Sequence, residues 1–299
     1  MSAMVPFEYI RASNVEHALS VLSRHGRDAR VLAGGTDLLV ELKTHVRGPR
    51  VIVDISRIGA LKRIELTADG LRIGALATHS EIACSELIRR TCPALAEAAQ
   101  AIGAVQTRNA GTIAGNLVTC VPSMDSGPPL LALDAQVVLA SERGLRVLPV
   151  GDFFVGPRCS AIKPDELLTC VEVPRSSLGK PMAFLKLGLR KGQALALVNV
   201  AAGFFANGDS PHFSAPCIAL GAVAPTVIRA TEAERYLTER AIGSAAITEA
   251  ACIATRGAAP IDDFRASAWY RSSVITVLVR RALEIARERA MQLVLEQVA

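Results

Sequence analysis

The sequence predicts an α/β fold up to about residue 175 and an α+β domain after it, and three observations predict this. Over residues 7–55, short apolar runs of strand length alternate with segments of helical period, giving a β-α-β-α-β order. From 57 to 175, hairpin signals, a capping signal and an Ala-rich helical stretch continue the mixture. The last third presents strands first and helices afterwards, the α+β order. The pattern pauses at Pro174-Arg175-Ser176-Ser177-Leu178-Gly179-Lys180-Pro181, and the boundary is placed there. One domain then covers 1–175, in two parts at about 1–56 and 57–175, and a second covers 176–299.

Residues 7–10 form a short strand in this reading. Ser13-Asn14-Val15-Glu16 has capping-box spacing, and the helix it opens ends at Gly26. Residues 30–33 are a buried strand, Gly34-Gly35 a tight turn, and Thr36-Asp37 an N-cap pair before a helix at 38–42. A strand at 50–55 closes the unit. Segments 64–66 and 71–75 flank Ala68-Asp69-Gly70 as a hairpin. Thr78-His79-Ser80-Glu81 is a second capping box, and Pro93 opens a helix over 94–102. Residues 103–129 show no strong pattern, which inside a compact domain points to a functional loop. Strands follow at 135–140, 167–173, 184–189, 198–205 and 216–222. Helical stretches at 231–237, 247–255 and 269–295 complete the chain, the last strongly amphipathic.

Composition narrows the function class. Aromatic residues make up only 4% of the chain, too few for a stacking platform that binds single-stranded nucleic acid. The net charge is +5, with basic residues spread at helical spacing, as on solvated helix faces. Seven cysteines without a C-x-x-C pair or a local cluster offer no iron–sulfur or zinc framework and suit reduced cytosolic thiols. The opening MSAMVPFEYIRAS lacks the basic-then-apolar order of a secretory leader, and no apolar run is long enough to span a membrane, so a soluble cytoplasmic chain is expected. His17, His25, His45, His79 and His212 have no metal-motif spacing and are expected at surfaces or caps. Asp262 and Asp263 are expected at a helix start. No catalytic residue and no metal ligand is assigned.

Two glycine loops carry the chemistry. Ala33-Gly34-Gly35-Thr36-Asp37 lies between a strand and a helix start, where a bare backbone and free N–H groups can approach a phosphate. Asn109-Ala110-Gly111-Thr112-Ile113-Ala114-Gly115-Asn116 adds a hydroxyl and an amide. Either loop alone is more often just a turn. Two in one domain shift the balance toward a dinucleotide held by main chain, although neither is a Rossmann or P-loop fingerprint.

The strings VLAGGTDLLVELK, LRIGALATHSEIA, IGAVQTRNAGTIAGNLVTCVPSMDSGPPLLALDAQVVL, FLKLGLRKGQALALVNVAAG and IDDFRASAWYRSSVITVLVRRAL carry a resemblance along nearly the whole chain. It resembles the FAD-binding, or medium, subunit of molybdenum hydroxylases of the carbon monoxide dehydrogenase and xanthine dehydrogenase type. That resemblance implies a two-part FAD-binding domain of the covalent-flavin-oxidase-like type, followed by a C-terminal α+β domain. It implies FAD, held non-covalently, and no iron–sulfur cluster or molybdenum on this chain. The four-cysteine insert of one branch, the 4-hydroxybenzoyl-CoA reductases, has no counterpart here. The implied partners are a small [2Fe-2S] subunit and a large molybdopterin subunit in a dimer of heterotrimers, with a small-molecule electron acceptor.

Residue by residue, the resemblance implies a pyrophosphate cradle from Leu32 through Ala33, Gly34, Gly35, Thr36 and Asp37 to Leu38, closed by Thr112, Gly115, Asn116 and Val118. Asp125 matches an acid near the cofactor, Leu167 and Leu168 an apolar wall, and Lys186 a cation beside the flavin ring. Two positions depart from the family pattern. Ala114 replaces the first glycine of T-I-G-G-N; a left-handed backbone there would make the methyl cost on the order of 1 kcal/mol. Ala194 stands where an acid often follows the stretch from Arg190. The implied role is an electron-transfer subunit. The alternatives are a self-sufficient FAD-dependent oxidoreductase, which turns over without partners, and a flavin-free assembly scaffold, which stays colourless.

Overall fold

The computed structural model describes residues 6–44, 48–206, 212–238 and 240–298. The first five residues of the leader reading, and His45, lie outside the described residues. The chain opens with β1 (Glu8–Arg11), α1 (Val15–His25), β2 (Ala29–Leu32), α2 (Leu38–Thr44) and β3 (Val51–Asp54). The strands form a parallel sheet in the order β1-β3-β2, with Val51 opposite both Glu8 and Ala29. Ala18, Leu19, Val21 and Leu22, at helical spacing on α1, bury against Val51 and Val53. The cap of α1 is Asn14, not Ser13: the Asn14 side chain accepts from the His17 N–H at 2.8 Å. Ser13 instead bonds the His17 ring. Gly26 ends the helix at φ +49.

The second part contains β4 (Ile64–Leu66), β5 (Gly70–Gly74), α3 (His79–Cys84), α4 (Glu86–Thr91), α5 (Pro93–Ala101), α6 (Val105–Ala110), α7 (Ile113–Thr119) and α8 (Gly127–Ala132). It continues with β6 (Gln136–Ser141), β7 (Gly144–Pro149), α9 (Val150–Phe153), β8 (Phe154–Gly156), β9 (Cys159–Ser160) and β10 (Leu167–Pro174). Five of these strands pair antiparallel in the order β4-β5-β10-β6-β7. Thr78 and Glu81 form the expected capping box, and Pro93 opens α5. The expected loop over 103–129 is instead the three helices α6, α7 and α8. Each has six or seven residues, under two turns, so no period could repeat enough to show.

The third part holds β11 (Met182–Gly188), β12 (Ala196–Ala206), β13 (Phe213–Gly221), β14 (Ile228–Arg229), α10 (Thr231–Leu237), α11 (Ser244–Ile253) and α12 (Ala268–Val298). The strands make an antiparallel meander in chain order. Its two faces serve different cores, as the period of two requires. Val198, Val200, Ala202 and Phe204 of β12 pack with Ile275, Val279, Leu283 and Ala286 of α12. Ala201, Cys217 and Ala219 face the second part, against a core that includes Leu95 and Leu130. Across this junction Glu97 of α5 accepts from the Phe184 N–H at 2.8 Å and pairs with Arg289 of α12.

Candidate cofactor site

The site lies where the first part meets the second. β2 delivers the chain into Gly34-Gly35, and Gly35 turns with φ +71, a conformation glycine takes freely. Helix bonds resume when the Leu39 N–H reaches Gly35 O at 3.1 Å and the Glu41 N–H reaches Asp37 O at 3.0 Å. The N–H groups of Gly34, Gly35, Thr36 and Asp37 donate to no protein acceptor among the described residues. A run of unpaired donors in a turn forms a concavity suited to an anion.

The second loop is held by main chain. The N–H groups of Ile113 and Ala114 donate to Ala77 O at 3.0 Å and Ala75 O at 3.2 Å. The Thr112 hydroxyl caps α7 by accepting from the Gly115 N–H at 3.1 Å. The two glycine loops touch: a Cβ at Gly34 would lie 1.8 Å from Ala110 O.

Between them opens a cavity of about 870 Å³. From the first loop Ala33, Gly34, Gly35, Thr36, Asp37 and Leu38 line it, and from the second Thr112, Gly115, Asn116 and Val118. Leu167 and Leu168 wall it at the start of β10. The structure therefore gathers these positions, far apart in sequence, around one space. Asn116 Oδ1 accepts from the Ser126 hydroxyl, which leaves its side-chain NH₂ without a partner among the described residues. Leu32 does not line the cavity; its side chain lies beneath the Gly35 turn.

Asp125 and Lys186 do not line it either. The cation expected beside the flavin ring and the acid expected near the cofactor form a buried ion pair with each other: Lys186 donates to Asp125 and, at 3.0 Å, to Ala101 O. Sheet register explains the placement. Lys186 of β11 stands opposite Asn199 of β12, and Asn199 opposite Gly221 of β13, one row on the face turned to the second part. Gly221 is bare because a Cβ there would lie 2.2 Å from Asn199 Oδ1. Asn199 donates to Asp125 at 2.8 Å and to Met124 O at 3.1 Å. Burial pushes the Asp125 carboxyl up, and the Lys186 ammonium opposes that rise.

Ala114 answers the question its substitution raised. It lies within α7 and outside the positive-φ set, so its methyl carries no left-handed strain. Its 8% exposure faces the cavity wall. Ala114→Gly is expected to lower stability by about 1 kcal/mol, the helix-interior cost of glycine, and to leave flavin affinity unimproved. Urea unfolding and a flavin titration check this; tighter binding by the glycine variant would show that the methyl obstructs the site.

Sequence reasoning missed two features of the wall. His79 was expected at the surface or as a cap, but it is 3% exposed and lines the cavity. Burial, with Arg108 nearby, pushes its pKa down to about 4. The unfolded chain, with an imidazole near 6.5, binds the extra proton between these values, so stability falls as pH drops from 6.5 to 4. The loss is at most about 1.4 kcal/mol per pH unit and about 3 kcal/mol in all. Denaturant titrations at pH 7 and pH 4.5 should show this slope, and His79→Gln should flatten it. The second missed feature is Glu41, which pairs with Arg158 at 3.2 Å and Arg30 at 3.9 Å at the cavity edge. Arg158 stands 117 residues from Glu41, so their pairing leaves no local signal.

Asp263 accepts from Arg265 and pairs with Arg271 at 2.8 Å, and Asp262 accepts from the Ala268 N–H at the start of α12. Cys92, Cys120, Cys170 and Cys217 are buried free thiols, with Cys84, Cys159 and Cys252 exposed. Among the described residues no group of three His, Cys, Asp or Glu side chains could hold a metal, and no helix is long and apolar enough to cross a membrane.

Comparison with known proteins places this geometry. Residues 5–176 match the FAD binding domain in molybdopterin dehydrogenase, and residues 183–286 match the CO dehydrogenase flavoprotein C-terminal domain. The chain is 35% identical over 284 residues to the 6-hydroxypseudooxynicotine dehydrogenase complex subunit alpha of Paenarthrobacter nicotinovorans, covering 95% of each. It is 31% identical to the xanthine dehydrogenase FAD-binding subunit of Escherichia coli O157:H7, covering 92% of this chain and 94% of that one. Carbon monoxide dehydrogenase from Hydrogenophaga pseudoflava contains a chain that superposes with a TM-score of 0.90 at 32% identity, covering 96% of this chain and 99% of that one. With both domain types in order along one chain and the cradle between its first two parts, the protein belongs to the FAD-binding subunit family of the molybdenum hydroxylases.

Proposed function

We propose that this chain binds FAD non-covalently in the cavity between its glycine loops and passes electrons between [2Fe-2S] clusters of a partner subunit and an external acceptor. The observation that carries the reading is the run of unpaired N–H groups from Gly34 to Asp37, facing a space of about 870 Å³ opposite the second loop. That donor set fits a dinucleotide pyrophosphate, because successive amides bind anions without placing a full charge in the wall. FAD when bound supplies electron exchange in steps of one or two, and the protein supplies position and electrostatics. Leu167 and Leu168 would exclude water from one side of the space. Glu166 beside them is fixed: burial pushes its carboxyl up, but Arg146, at 2.6 Å and 3.0 Å, holds it below the usual range.

On this reading the FAD-binding domain spans 1–175 and the C-terminal domain 176–299, and the site residues are the loops, Leu167 and Leu168, with the Asp125–Lys186 pair behind them. The partners are a small iron–sulfur and a large molybdopterin subunit, in a cytoplasmic complex. Co-expression with both subunits tests the relay. The expected result is substrate-dependent reduction of an external acceptor by the assembled complex and none by this chain alone. Turnover by the isolated chain would favour a self-sufficient oxidoreductase.

A further inference from the structure

His79 occupies the place where the two glycine loops meet. Its backbone N–H donates to Gly111 O at 3.1 Å, inside the pairing that joins Thr78 to Thr112. A Cβ at Gly111 would lie 3.3 Å from the His79 ring and 3.6 Å from the Thr36 hydroxyl, so both side chains border the same glycine. The ring is almost wholly buried, lines the cavity and has no side-chain hydrogen bond among the described residues. Its two nitrogens differ. Nδ1 is shut away from solvent and unpartnered, whereas Nε2 is not closed off. A buried N–H without an acceptor costs more than a buried lone pair, so the proton belongs on Nε2. The result is a donor on the cavity wall that lacks a protein acceptor, beside four backbone donors in the same condition.

We propose that His79 is a further ligand-holding residue of the site, a neutral imidazole whose Nε2–H donates to the pyrophosphate held by the Gly34–Asp37 amides. The inference rests on the FAD reading and names one more donor to that cofactor. In the empty site burial keeps the ring uncharged, with a single N–H to offer an acceptor. The arrangement extends the donor set from one loop to a side chain placed by the other.

ADP, which carries the pyrophosphate without the flavin, is the probe, alongside FAD. In the full chain cleared of flavin, His79→Leu should weaken both by the same factor, about tenfold or more, as for a lost hydrogen bond to a charged group. His79→Gln, whose amide can replace the Nε2–H donor, should recover most of that affinity. With ¹⁵N-histidine in the wild-type chain, ADP should shift one ring N–H resonance, the one missing from His79→Gln. This readout needs no variant that binds. Unchanged ADP affinity in His79→Leu, or weakening confined to FAD, would overturn the assignment while leaving the FAD reading intact; so would a ring resonance that ADP does not move. A wild-type chain that binds neither FAD nor ADP would overturn both.

Discussion

Gly34→Ala is expected to cost about 3 kcal/mol of stability and to abolish flavin retention, because overpacking against main chain cannot relax through a rotamer. The new methyl would sit 1.8 Å from Ala110 O and 2.6 Å from the carbon of that carbonyl. The clash can be relieved only by separating the glycine loops, which moves the cradle amides away from the second loop. Gly59→Ala is the control, since nothing lies within 4 Å of a Cβ there. Urea unfolding should shift for the first variant and barely for the second, and flavin content should follow. An unchanged Gly34→Ala midpoint would mean that the loops do not touch as described.

Lys186→Met is expected to destabilise by about 3–5 kcal/mol, the usual result of leaving one member of a buried ion pair without its partner. Asp125, with a side chain 6% exposed, would keep only the Asn199 amide. The cheapest response is to take up a proton, so the carboxyl rises further above its unfolded value. A carboxyl raised in the folded state favours folding at low pH, and that contribution disappears as pH climbs through the raised value. The variant should therefore lose less stability at pH 5 than at pH 8. Asp125→Asn combined with Lys186→Met should recover much of the loss, because the amide can still accept from Asn199. A single variant as stable as wild type at pH 8 would show that the pair is solvated.

Much of the fold was legible because its elements announce themselves locally. The helix at Val15–His25 is long enough for its period to repeat, and Thr78 with Glu81 marks a helix start by chemistry that acts over three residues. The parallel first sheet follows from strands too closely alternated with helices to pair otherwise. What was lost is short or remote. The helices α6, α7 and α8 end before a period can repeat, and β7 carries the exposed apolar residues Leu145 and Val147, which blur its pattern. The cap at Asn14 was misplaced by one because serine and asparagine offer the same acceptor at adjacent positions.

At the site, the loops were legible because glycine next to Thr, Asp or Asn has few purposes other than tight turns and close approach. Their mutual contact was not, since Gly34 and Ala110 meet only in the folded chain. The pairing of Lys186 was not legible, because a lone lysine in a strand carries no sign of its partner; Asp125 is 61 residues away. His79 was hidden by the capping box around it, which explains a polar residue at that place without asking where its ring goes. The sheet row Lys186–Asn199–Gly221 shows what the missing information is: register, which period alone leaves open.

The central claim is that the cradle between the loops holds FAD. The visible absorption spectrum of the purified chain, followed by chromatography of what acid releases, tests it most directly. The account predicts the two-banded spectrum of oxidised flavin and release of FAD in stoichiometric amount. A chain that purifies colourless and stays colourless after incubation with FAD would contradict it.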